Sequence, residues 1–176
     1  MIHSKLFTLA MACASVAGVF VATLLPAAAE DVVTAHRLSA GLAVEAVSEA
    51  VANCAKQGYK ITAAIIDLDG VEQAVLRGDG AMMTTIDAAR DKAYTALMLG
   101  AGRHEESSGA VAQRMGNTPS AGGLAKLPHV LLAQGGLVIR FHDEAIGAIG
   151  VGGAPGGDLD EGCAKAGLDK ISARLK

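Results

Sequence analysis

Between Ser39 and Gln57 apolar residues recur every three or four positions. Leu42, Ala43, Ala46, Val47, Ala50, Val51 and Cys54 fall on one side, Glu45, Glu49 and Lys56 on the other. That period predicts an amphipathic helix, and Gly58 supplies the left-handed residue that ends one. The pattern then shortens. Ile61 to Asp67 and Val71 to Arg77 are short apolar runs separated by the turn residues Asp67-Leu68-Asp69-Gly70, which predicts an antiparallel hairpin. A second helix is expected to start at Thr84-Thr85-Ile86-Asp87, with Thr84 as cap and Asp87 at the third position. Ile86, Ala89, Ala93 and Leu97 mark its inner face as far as Gly100, and Asp87, Arg90, Asp91 and Lys92 its polar one.

Residues 101–128 lack a period and are broken by Gly102, Gly109, Gly116, Pro119, Gly122, Gly123 and Pro128, as a pocket wall or lid would be. Val130 to Ala133, Leu137 to His142 and Ala145 to Val151 follow as three predicted strands in a meander. Asp158-Leu159-Asp160-Glu161 then predicts the cap of a last helix that turns Leu159, Cys163, Ala166, Gly167, Leu168 and Ile171 inward. Helix, hairpin, helix, irregular segment, meander and helix make an α+β fold with a five-stranded antiparallel sheet flanked by helices.

The start of the chain has a different character. Lys5, an apolar stretch from Leu6 to Leu25, Pro26 and Ala27-Ala28-Ala29 precede Glu30-Asp31, the order of a secretory signal peptide. Cleavage is expected after Ala29, leaving residues 30–176 as one domain in the periplasm or outside the cell. The apolar stretch is almost long enough to span a bilayer, so an uncleaved anchor is the alternative.

Composition narrows the function. The formal net charge is −3 across 176 residues, with no Lys/Arg-rich block, so nucleic acid is excluded as a partner. Tryptophan is absent and glycine reaches 22 residues, which implies aliphatic pocket walls and close backbone contacts. Beyond the signal, two cysteines remain, Cys54 on the first helix and Cys163 on the last. An even pair in an exported chain forms a disulfide more often than a metal site, with buried free thiols as the alternative.

No motif carries chemistry alone. Gly147-Ala-Ile-Gly-Val-Gly-Gly-Ala-Pro-Gly-Gly157 lacks the Lys-Ser/Thr of a phosphate-binding loop, and Asp158, Asp160 and Glu161 would repel an anion there, so close backbone packing explains it better. His36, His104, His129 and His142 show no tight metal spacing. Asp87 and Arg90, three apart, are helix neighbours, and an arginine fork suits a ligand carboxylate.

The blocks Leu76-Arg-Gly-Asp-Gly80, Thr85-Ile-Asp-Ala-Ala-Arg-Asp-Lys-Ala-Tyr-Thr95, Leu127-Pro-His-Val130, Gln134-Gly-Gly-Leu-Val-Ile139 and Ile146-Gly-Ala-Ile-Gly-Val-Gly-Gly-Ala-Pro-Gly-Gly-Asp158 resemble the GlcG/HbpS family, in its exported branch. The resemblance implies a profilin-like fold, homo-oligomers with octamers among them, and haem or iron binding linked to uptake, sensing or degradation. Haem coordination differs among members and maps no single ligand onto this chain; His104 and His129, in or beside the irregular segment, are the candidate iron ligands, with Arg90 and Lys92 for haem propionates, Asp87 beside them, and Met83, Leu97 and Leu131 as apolar contacts. A haem-binding protein is therefore expected rather than an enzyme. Two other readings stand beside it: a catabolic enzyme using Asp87, Arg90 and Lys92 on a carbonyl or hydroxy-acid compound, and an accessory protein of a membrane sensor.

Overall fold

The computed structural model describes residues 33–175; the expected signal peptide and its cleavage site lie outside them. Ser39 caps helix α1 (Ala40–Lys56) by accepting a hydrogen bond from Leu42 N. At its other end Gly58 N donates to Ala55 O and Tyr59 N to Cys54 O, the paired bonds of a Schellman motif, with Gly58 at φ +82°. The hairpin β1 (Thr62–Asp67) and β2 (Glu72–Arg77) turns at Gly70, also left-handed. Helix α2 (Thr84–Thr95) runs on through a π-helical turn, Ala96–Gly100, into a 3-10 turn, Ala101–Arg103. Two short helices follow, α3 (Ser108–Met115) and α4 (Ala121–Leu124). The chain then forms β3 (Gly136–Phe141), β4 (Glu144–Gly152) and α5 (Gly157–Ile171).

The sheet has four antiparallel strands in the order β2-β1-β4-β3, not the expected five. Val130 to Ala133 is not a strand because its backbone groups are taken elsewhere. Leu131 N donates to Thr95 Oγ1 at 2.8 Å, and Ala133 O accepts from Ser108 Oγ at 2.6 Å. The edge of β3 that a fifth strand would need is covered by Glu106 and Ser107, since Val138 N donates to Glu106 O and Ser107 bridges Leu137.

Two helix starts also differ from expectation. The chain is already helical at Met83, so Thr84 is not the cap of α2. Thr85 turns inward instead, its hydroxyl 2.7 Å from Thr62 Oγ1 and donating to Met82 O. Helix α5 starts two residues before the expected cap at Asp158 allows, after the extended Gly156, which leaves Asp160 Oδ1 free to accept from Ala154 N at 2.9 Å.

Strand periodicity sorts the core into two layers. Ile65, Ile149 and Val151 join Ala43, Ala46, Val47, Cys54, Cys163 and Ile171, placing α1 and α5 on one face. Ile66, Val138 and Ala148 join Ala93, Ala96 and Leu97, placing α2 on the other. The glycine-rich stretch is what lets α2 lie so close. A Cβ on Gly150 would stand 2.0 Å from Ala89 O, and one on Gly136 2.1 Å from Lys92 O. Cys54 and Cys163 join α1 to α5 as a disulfide between wholly buried residues. Among the described residues no helix is long and apolar enough to cross a membrane.

Candidate functional site

The exposed side of α2 gathers most of the chemistry. Asp87 Oδ1 accepts from Arg90 Nη2 at 2.9 Å, and Arg90 Nε donates to Asp91 Oδ1 at 3.0 Å. The Arg90 guanidinium is partly buried, which opposes its charge, yet the bond to Asp91 and the fields of Asp91, Asp87 and Glu72 hold its pKa above the usual arginine value.

His129 reaches this group from the loop before β3. It sits in the left-handed region, φ 64°, and its ring Nδ1 lies 3.2 Å from Asp91 Oδ1. Tyr94 meets the imidazole edge-on at a centroid distance of 5.7 Å. With Nδ1 directed at the carboxylate, Nε2 is the nitrogen left to meet a ligand.

Arg90, Tyr94 and Met98 follow at four-residue intervals and continue the stripe along α2 and its π turn. The Gly70 turn presses on it, because a Cβ there would lie 3.1 Å from Met98 Cε and 3.2 Å from Tyr94 Cε2. Past Met98 the stripe opens into a cleft of about 240 Å³ lined by Met98, Leu99, Arg103, Arg114, Met115 and Leu124. Arg114 is held there by Glu105, whose oxygens accept from its Nε and Nη2 at 2.5 and 2.8 Å.

Asp87, Arg90 and His129 thus come together, but two of the expected residues do not join them. Lys92 is not on the solvated face: it is 6% exposed and its Nζ lies 2.6 Å from Asp160 Oδ2. It cannot reach a propionate at the Arg90 surface, and it forms no catalytic trio with Asp87 and Arg90. His104 ends the 3-10 turn, exposed, at φ 56°, with no hydrogen bond to its ring among the described residues. No group of three or more His, Cys, Asp or Glu able to hold a metal ion exists among the described residues. Leu97 belongs to the α2 core and so does not line the stripe as expected. Sequence reasoning missed Asp91 as the partner of His129 and Asp160 as the partner of Lys92. The first pair is 38 residues apart and the second 68, and no local pattern links either.

A second cluster lies on the far side of the molecule. His36 Nδ1 is 2.6 Å from Glu144 Oε2 and its ring stacks obliquely on Phe141 at 4.7 Å. The bond to His36 holds the Glu144 carboxyl below the usual carboxylate range. Beside it Leu38, Leu42, Ile146 and Leu175 line a cleft of about 220 Å³. Its two cations are already engaged, Arg37 with Asp67 and Asp69, and Arg174 with Glu45.

A four-stranded antiparallel sheet with α1 and α5 on one face and α2 on the other is the fold of the HbpS proteins. Residues 38–169 match the family described as haem degrading protein HbpS-like, and the chain belongs to that family. A double mutant of Streptomyces reticuli HbpS is 31% identical, with 90% of this chain and 97% of that chain covered and a TM-score of 0.72. Klebsiella pneumoniae protein ORFY shares the fold at 20% identity, with coverage of 82% and 97% and a TM-score of 0.72. So does PduOC, solved as a heme complex, at 19% identity, 77% and 96% coverage and a TM-score of 0.67. Comparison with curated proteins gave no significant match.

Proposed function

We propose that the protein is an exported haem-binding protein that takes up haem on the open side of α2. One observation carries this reading: His129 has its Nδ1 held beside Asp91, as iron- and zinc-binding histidines have theirs fixed by a carboxylate or carbonyl, and so offers its Nε2 in a set orientation. The donor set around it suits an amphipathic, dianionic macrocycle. Arg90, its Nη2 and Nε held by Asp87 and Asp91, keeps Nη1 for a propionate, and Tyr94 and Met98 provide apolar contact. Bound haem would supply the iron centre; the protein supplies the imidazole, its orientation and the charge at the rim. The family description and the heme complex of PduOC support the same reading.

Export belongs to this proposal. Residues 1–29 act as a signal peptide cut after Ala29, so the working protein starts at Glu30 in the periplasm or outside the cell and assembles as a homo-oligomer. The amino-terminal sequence of protein recovered from the exported fraction tests the cut: Glu30 supports it, and an intact Met1 refutes it.

Titration of the purified protein with hemin, followed by the Soret band, tests the site. Saturable binding with a sharp coordinated spectrum is expected, lost in His129→Ala and weakened about 10- to 100-fold in Asp91→Ala. His104→Ala should bind as the parent does. Unsaturable binding, or a Soret band unchanged in His129→Ala, overturns the proposal.

A further inference from the structure

The two edges of the sheet are treated differently. Glu106 and Ser107 cover β3, whereas nothing among the described residues pairs with the outer side of β2. Exposed edges are ordinarily blunted by lysine, proline or a covering loop. Instead β2 and the residue before it present Val71, Val75 and Leu76 at 60, 41 and 36% exposure.

The direction of the free backbone groups follows from the inner ladder. Gly78 N donates to Ile61 O at 2.9 Å. By the alternation of an antiparallel pair, Leu76 and Ala74 then face β1, while Val75 and Arg77 point their N–H and C=O groups outward. A bulge sets the side chains. Ile65 pairs with Ala74 but Ile66 with Glu72, so one residue is skipped. Glu72 opposite Ile66, Val75 opposite Ala64 and Arg77 opposite Thr62 therefore share the α2 face of the sheet. The Thr62 hydroxyl bonded to Thr85 of α2, and the field of Glu72 on Arg90, agree with that placement.

We propose that β2 pairs antiparallel with β2 of a second copy about a two-fold axis at Val75, joining the two sheets into one of eight strands. With Val75 opposite the partner's Val75, Arg77 falls opposite the partner's Gln73 and beside the partner's Glu72. The strand is its own complement: acidic at its start, apolar in the middle and basic at its end, so antiparallel self-pairing places unlike charges together twice by symmetry. A parallel arrangement would set Glu72 against Glu72. Arg77 gives Nη1 to Ala81 O, which leaves the rest of its fork for the partner's Glu72.

Light scattering on the purified protein reads the assembly. Val75→Pro removes an outward N–H and no bond to β1, so the particle mass should fall at least twofold while the far-ultraviolet circular dichroism is retained. Glu72→Arg and Arg77→Glu should each weaken association about tenfold, two symmetric pairs being lost. The double variant, which restores both pairs with their signs exchanged, should recover it. A monomeric parent protein, a Val75→Pro variant of unchanged mass, or a double variant that associates no better than the singles would overturn the proposal.

Discussion

Lys92 Nζ lies 2.6 Å from Asp160 Oδ2, with both side chains less than a tenth exposed, although one residue stands on α2 and the other on α5 across the sheet. The pair meets at the bend before β3, where Gly135 has φ +124° and a Cβ would lie 2.9 Å from both Lys92 Cδ and Asp160 Cβ. Asp160 is held twice, since its other oxygen accepts from Ala154 N. One buried carboxylate thus ties the helix carrying the candidate site to the loop leading into α5.

Removing one partner leaves the other charge buried and alone. Asp160→Ala should lose about 3–5 kcal/mol, whereas Lys92→Met with Asp160→Leu should lose far less, because the cost is that of the orphaned charge rather than of the missing pair. Urea unfolding of the two variants decides the matter; equal losses would mean that the pair itself holds the structure.

The close seat of α2 predicts a sharp contrast among glycines. Gly150→Ala would push a methyl group to 2.0 Å from Ala89 O, and the protein should lose more than about 3 kcal/mol or fail to accumulate folded. Gly162→Ala, on α5 with nothing within 4 Å, should gain up to about 1 kcal/mol. Thermal melts of the pair read both signs.

The disulfide closes a long loop, since Cys54 and Cys163 are 109 residues apart. Chain entropy then assigns it about 4–5 kcal/mol. Denaturation in the presence of a thiol reductant should show a correspondingly lower midpoint, and a Cys54→Ala/Cys163→Ala variant should be insensitive to the reductant.

Acid should loosen the wall of the cleft beyond Met98. The side-chain hydrogen bond from Arg114 holds the Glu105 carboxyl below its ordinary value of 4.5. The folded pKa is thus lower than the unfolded one, so this contribution to stability is complete above about pH 4.5 and is lost as pH falls through the folded value. A carboxyl NMR titration of Glu105 should show a midpoint under 4.5, and Arg114→Ala should return it toward 4.5; an unmoved midpoint would remove Arg114 as the cause.

Local physics explains which elements were legible in advance. Helix α1 is marked by its apolar period and left-handed Gly58, and the first hairpin by its turn, all contained within the segments they describe. The glycine-rich stretch rejected an anion by its own acidic residues and proved to be packing surface. The α2 face showed Asp87 and Arg90 as neighbours because helix geometry alone puts them there. Tertiary structure decided the rest, through partners distant in the chain. Val130 to Ala133 has the composition of a strand, but Thr95 and Ser108 claimed its backbone. Lys92 has the composition of a solvated helix face, but a carboxylate 68 residues away made its burial affordable. Asp91 was an ordinary surface charge until the loop after α4 brought His129 to it, and only that meeting turns an exposed histidine into an oriented one.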